Sequence, residues 1–141
     1  MNFTPEEMTV LSAQMDEQLH ELRDLEKSQF GSSKSVSQPP EEKEQLLEKQ
    51  RQQIADNTQE SPDSFLHKYG NRAKNVLCQE SSELNQQWQK WGDLRNEDVL
   101  EKLGSVLLIM GYSGVALHIL TVAISVYVIR VGLNVFCNKY C

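Results

Sequence analysis

The residues best able to do chemistry in this chain are three histidines, His20, His67 and His118, and three cysteines, Cys78, Cys137 and Cys141. A zinc site needs several such ligands at short, fixed spacing, because the ion must be surrounded on four sides. His20 and His67 each stand without a second histidine or a cysteine at that spacing. His20 does have Asp16, Glu17, Glu21 and Asp24 around it, but carboxylates are dense throughout this stretch, so the group reads as a solvated acidic helix. Glycine-rich phosphate loops and nucleophile elbows are absent. The expectation is a protein that is not an enzyme, with no catalytic, cofactor-binding or metal-binding residues.

The cysteines are odd in number and suggest no disulfide framework, as for a chain facing a reducing compartment. Cys137 and Cys141 follow directly on an apolar segment. Thiols beside a bilayer are candidates for lipidation, for an intermolecular disulfide, or for remaining free.

His118 lies in the middle of that apolar segment, within a pattern of small residues. Gly104, Gly111, His118, Ser125 and Gly132 recur every seven positions, and Leu107, Gly114, Thr121 and Val128 repeat three further on. On a helix these form one seam. In lipid, small residues let helix backbones approach, and polar ones hydrogen-bond across the contact. The seam is therefore expected to be a membrane helix–helix interface formed by Gly104, Gly111, Gly114, His118, Thr121, Ser125 and Gly132. His118 admits two readings: a hydrogen-bonded packing residue, or one member of a histidine ring that gates a pore by titrating near neutral pH.

The element positioning these residues runs from Leu103 to Ile129, 27 residues without a formal charge when His118 is neutral. A bilayer core needs about 20 in a helix. One transmembrane helix over 103–130 is expected, followed by a short tail, 131–141. A hairpin turning at Gly111-Tyr112-Ser113-Gly114, with limbs reaching Val99 and Phe136, is the alternative. The start, MNFTPEEMTV, has no basic region leading into an apolar run, so a tail-anchored chain in an intracellular or plasma membrane is expected, its N-terminal part cytosolic. Flanking charge says little, with Lys90, Arg95 and Lys102 on one side and Arg130 and Lys139 on the other.

Upstream of the membrane segment the chain reads as helix interrupted by loops. Thr4-Pro5-Glu6-Glu7 is a capping signature that opens an N-terminal amphipathic helix within residues 1–30. Met8, Leu11, Met15, Leu22 and Leu25 fall at heptad positions, a coiled-coil-like face suited to a partner helix. Residues 31–40, GSSKSVSQPP, have the composition of a flexible linker. A polar helix follows over 41–58, then an amphipathic segment over 59–102 that opens at Ser61-Pro62 and carries the juxtamembrane pair Trp88 and Trp91. Those two are suited equally to an interfacial belt and to ordinary core packing.

Charge divides the 141 residues sharply: every one of the 20 carboxylates lies at or before Glu101, and only Arg130 and Lys139 carry positive charge after Lys102. A pI near 5.1 and the lack of a basic stripe exclude a nucleic-acid partner, since such binding requires phosphate neutralisation. The fold class expected is all-α, with elongated amphipathic helices followed by one C-terminal transmembrane helix. The function expected is that of a single-pass membrane adaptor or tether: acidic helices bind a protein partner, while the seam forms a homo-oligomer or docks the chain in a membrane complex. The alternative is a small oligomeric channel lined by His118. Membrane lipid is a partner in both.

Overall fold

The structure, a computed structural model, describes residues 2–30 and 44–141; the linker expected over 31–40 lies outside the described residues. Every regular element among them is helical: α1 (Pro5–Phe30), α2 (Glu48–Thr58), α3 (Pro62–Leu77), α4 (Glu83–Trp91), α5 (Asn96–Ile109), α6 (Gly114–Val131) and α7 (Leu133–Tyr140). Residues 44–46 form a helical turn leading into α2.

Local sequence accounts for most of the boundaries. The Thr4 backbone N–H donates to Glu7 Oε1 at 2.9 Å and the Glu7 N–H to Thr4 Oγ1 at 3.1 Å, a reciprocal cap that starts α1. Ser61 accepts from the Ser64 N–H before α3, where Pro62 has no N–H and needs no acceptor, and Ser82 accepts from the Asn85 N–H before α4. The chain leaves α4 at Gly92 and leaves α6 at Gly132, both with positive φ.

The apolar helix α6 is the centre of the fold. It packs against α1, α2, α5 and α7, and α3 closes the far side on α5 and α7. Met8, Leu11, Met15 and Leu22 of α1 are buried, whereas Leu25 is exposed. The heptad face thus meets the chain's own α5 and α6, and the helices form a bundle around α6 in place of an elongated series. Gln18, at a heptad position among these apolar residues, is buried and accepts a hydrogen bond at 2.9 Å from Gln50 of α2.

The expected C-terminal membrane helix is corrected in two ways. The helix long and apolar enough to cross a membrane is Gly114–Val131, 18 residues, and most of it is buried inside the protein. It is not C-terminal, because α7 follows and buries Leu133, Phe136 and Tyr140. The physical reason is a helix stop at Gly111. Its N–H bonds the Leu108 carbonyl and the Tyr112 N–H bonds the Leu107 carbonyl, each at 3.0 Å, with Gly111 at φ 103°. This is the Schellman arrangement, in which a residue without a Cβ takes the positive φ and the orphan carbonyls find donors. Gly114, at φ 63°, then redirects the chain into α6. Leu103, Val106 and Leu107 fold back on α6 as the second limb of a hairpin.

Candidate functional site

Two features of the molecule present unusual chemistry to the outside: the tip of the α5–α6 hairpin and a cysteine cluster at the end of α7.

At the tip, Ile109 is 76% exposed, Val115 74% and Leu108 38%, with Met110 and Tyr112 half-buried beside them. Isolated exposed apolar residues are ordinary, but a contiguous group of this kind marks an interaction surface. Tyr112 is held from below by Phe65 of α3, whose ring meets it edge-on at 5.8 Å. Val10 of α1, itself exposed, extends the patch along a shallow cleft of about 380 Å³ that Val115, His118 and Ile119 also line.

His118 closes this cleft. Its Nε2 lies 3.2 Å from Glu7 Oε2 on α1, and its ring meets Phe3 edge-on at 5.7 Å. The Thr4 backbone N–H, followed by the charge of His118, holds the Glu7 carboxyl below its usual range against some desolvation. Phe3 is buried over Gly104, where an added Cβ would fall 2.7 Å from the ring. Asn2 secures the segment by donating its backbone N–H to Glu101 Oε1 at 2.6 Å and its amide to Ser105 Oγ at 2.6 Å. The N-terminal residues therefore strap α1 onto the hairpin just behind the tip.

The seam residues are distributed around this hairpin. Gly104 and Thr121 face each other across α5 and α6, with Thr121 Oγ1 3.6 Å from where a Gly104 Cβ would stand. The Thr121 hydroxyl donates to the Leu117 carbonyl at 2.6 Å. Ser125 is fully buried, and its Oγ has no hydrogen-bond partner among the described residues. Gly111 and Gly114 form the turn, and Gly132 lies at the other end of α6 under Trp88, 3.6 Å from its ring by the Cβ position. Trp91 points outward, 60% exposed, with the Lys90 ammonium 5.0 Å from its ring centre.

A polar cluster fixes the opposite, buried half of α6. Arg51 of α2 donates to Asp63 Oδ1 of α3 and to the Tyr127 hydroxyl, each at 3.0 Å. The Tyr140 hydroxyl donates to Glu44 Oε1 at 3.1 Å, and Lys139 bonds Glu44 Oε2 at 2.5 Å. Arg51 holds the Asp63 carboxyl below its usual range, and burial pushes the Tyr140 phenol up. Each charge is matched, so the cluster joins α2, α3, α6 and α7 and leaves no activated nucleophile. His20 pairs with exposed Asp24 at 3.5 Å, and His67 stacks edge-on with Tyr140 at 5.0 Å. The three histidines stay apart.

The cysteines do the reverse. Cys78, just after α3, is disulfide-bonded to Cys137 of α7, with Cα atoms 5.7 Å apart, which corrects the expectation of no disulfide. Pairing across 59 residues depends on tertiary placement and leaves no trace in spacing. Cys141 is free and exposed, and the three sulfurs lie within 4.8 Å of one another. Among the described residues this is the grouping with metal-ligand proximity, although the disulfide occupies two of its three sulfurs.

Comparison of the chain with family models, with curated proteins and with solved structures gives no match.

Proposed function

We propose that the protein is a membrane-associated helical adaptor that docks on a bilayer through the tip of the α5–α6 hairpin. The observation carrying this reading is the exposure of Ile109 and Val115 on either side of a glycine turn, at the end of a hairpin with no Asp, Glu, Lys or Arg from Leu103 to Ile129. Burying two such side chains in the interface contributes about 1.5–3 kcal/mol each. The disulfide favours a hairpin contact over a single crossing. A crossing by α6 puts Cys137 on the far side of about 30 Å of hydrocarbon, whereas the bond holds it 5.7 Å from Cys78 by Cα distance. A hairpin keeps both of its ends on one side.

The adaptor function rests on the outer face of α1: of its seven carboxylates, Glu7, Glu21 and Glu26 pair with His118, Lys49 and Arg130, and the other four, Glu6, Asp16, Glu17 and Asp24, are exposed and suit a partner with a basic surface. In this orientation the tip meets lipid while the solvent-facing carboxylates on the rest of α1 stay accessible.

Co-sedimentation with phosphatidylcholine vesicles tests the proposal. The expected result is binding that persists at high salt and weakens at least tenfold in the Ile109→Ser/Val115→Ser double variant, whose melting temperature stays unchanged. A wild-type protein that leaves the vesicles unbound, or a double variant that binds equally well, overturns it.

A further inference from the structure

The cysteine cluster carries an inference independent of the membrane reading. Two features bring three sulfurs together at one end of the fold. Cys137 and Cys141 are four residues apart, so a helix places them on one side, and the Cys141 N–H completes the helix by bonding the Cys137 carbonyl at 3.1 Å. The end of α7 is also seated on α3 by backbone contact: a Cβ at Gly70 would lie 2.3 Å from the Tyr140 carbonyl oxygen. That seat is a contact between α3 and α7 separate from the disulfide. Cys141 Sγ stands 3.0 Å from Cys78 Sγ, while Cys78 is already bonded to Cys137. A free thiol in contact with one sulfur of a disulfide is the reactant pair for exchange.

We propose that Cys78, Cys137 and Cys141 form a thiol–disulfide exchange centre in which Cys141 carries the disulfide from a half-buried position to the surface, for reaction with a small thiol. In the first step the Cys141 thiolate attacks Cys78 Sγ. The Cys78–Cys141 bond forms as the Cys78–Cys137 bond breaks, and Cys137 leaves as a thiolate that takes up the proton Cys141 released. No net oxidation occurs. In the second step the thiolate of the small thiol attacks exposed Cys141, forming a mixed disulfide there and releasing Cys78 as a thiolate. Cys78 and Cys137 are half-buried and Cys141 is exposed, so transfer to Cys141 opens the disulfide to an external reagent. Neighbouring protein atoms partly desolvate the sulfur of Cys141 even though the residue is exposed, which raises its thiol above the usual range, and Lys74, one turn before Cys78, opposes that rise.

The test uses the full oxidised chain and glutathione as the small thiol, with acid quenching and disulfide mapping by peptide mass spectrometry. Three results are expected: a Cys78–Cys141 isomer beside Cys78–Cys137 in the wild type, a glutathione adduct on Cys141, and reduction at least tenfold slower in Cys141→Ser. Cys141 is exposed, so this variant folds, and the rate comparison stands even if Cys137→Ser does not. A folded Cys137→Ser protein should form Cys78–Cys141. Equal reduction rates for wild type and Cys141→Ser overturn the proposal. So does a wild-type protein in which neither the Cys78–Cys141 isomer nor a glutathione adduct on Cys141 forms.

Discussion

The two ends of α6 are alike in sequence and unlike in surroundings. From Leu120 to Val128 every residue is buried, against α1, α2, α5 and α7. From Gly114 to Ile119 only Leu117 is buried, and Val115 stands almost free. Both ends avoid water equally well as residue types, but only the first has found protein partners that replace it. Hydropathy thus reports what a segment avoids. Which surface takes the place of water is decided by packing, here by acidic amphipathic helices over the stem and by nothing over the tip.

The largest effect that probes this contrast is a pair of truncations in the one helix. Leu120→Ala removes a fully buried side chain and leaves a cavity in the core, so it should cost about 2–5 kcal/mol. Val115→Ala should shift stability by less than about 0.5 kcal/mol while weakening vesicle binding. Urea unfolding measures both. Equal costs would mean that the stem and the tip share one environment, and the contrast would collapse.

A smaller effect, decisive by its sign, comes from the turn. Nothing lies within 4 Å of a Cβ at Gly111 or Gly114, so alanine there meets no neighbour and tests the backbone alone. Positive φ should make each substitution cost about 1 kcal/mol. In an uninterrupted helix over 103–130 the same substitutions would stabilise by a similar amount, because glycine is a poor helix former. Thermal melts of Gly111→Ala and Gly114→Ala therefore distinguish a hairpin from a continuous span by direction.

Much of the all-helical fold is written locally. The Thr4–Glu7 cap, the Ser61-Pro62 start and the three-to-four spacing of Phe65, Leu66, Tyr69 and Ala73 need no tertiary information to read. The stop at Gly111 was legible in sequence as the turn of the alternative hairpin, Gly111-Tyr112-Ser113-Gly114. The unbroken apolar run favoured a continuous helix instead, because a glycine inside it looks like one more membrane residue. The sevenfold seam was visible too, but periodicity cannot say whether the facing backbone belongs to another chain or, as at Gly104 and Thr121, to the other limb of the same hairpin. Least legible was the cysteine cluster, because Cys78 meets Cys137 and Cys141 only after α3 and α7 have docked at Gly70. The apolar tip had no signal distinct from the apolar stem.

The smallest expected effect concerns the strap that separates stem from tip. Glu7 sits at the boundary, joined to Thr4 in its own cap and to His118 on α6. Its carboxyl is held below the usual 4.5, so it favours the folded state above the ordinary carboxylate range, and that contribution is lost as pH falls through the folded value. Glu7→Gln should therefore melt slightly below wild type at about pH 6 and approach it as pH falls through the folded value of the Glu7 carboxyl, below which both side chains are neutral. The exposure of the pair keeps the difference modest. Protonation loosens the contact between α1 and His118 on the tip side of the hairpin, so protection from amide exchange in the first turn of α1, taken relative to the intrinsic rate at each pH, should fall before that of the stem. An offset in melting temperature that persists unchanged below the folded value of the Glu7 carboxyl would show that Glu7 acts through packing and not through its charge, and the strap would then belong with the stem.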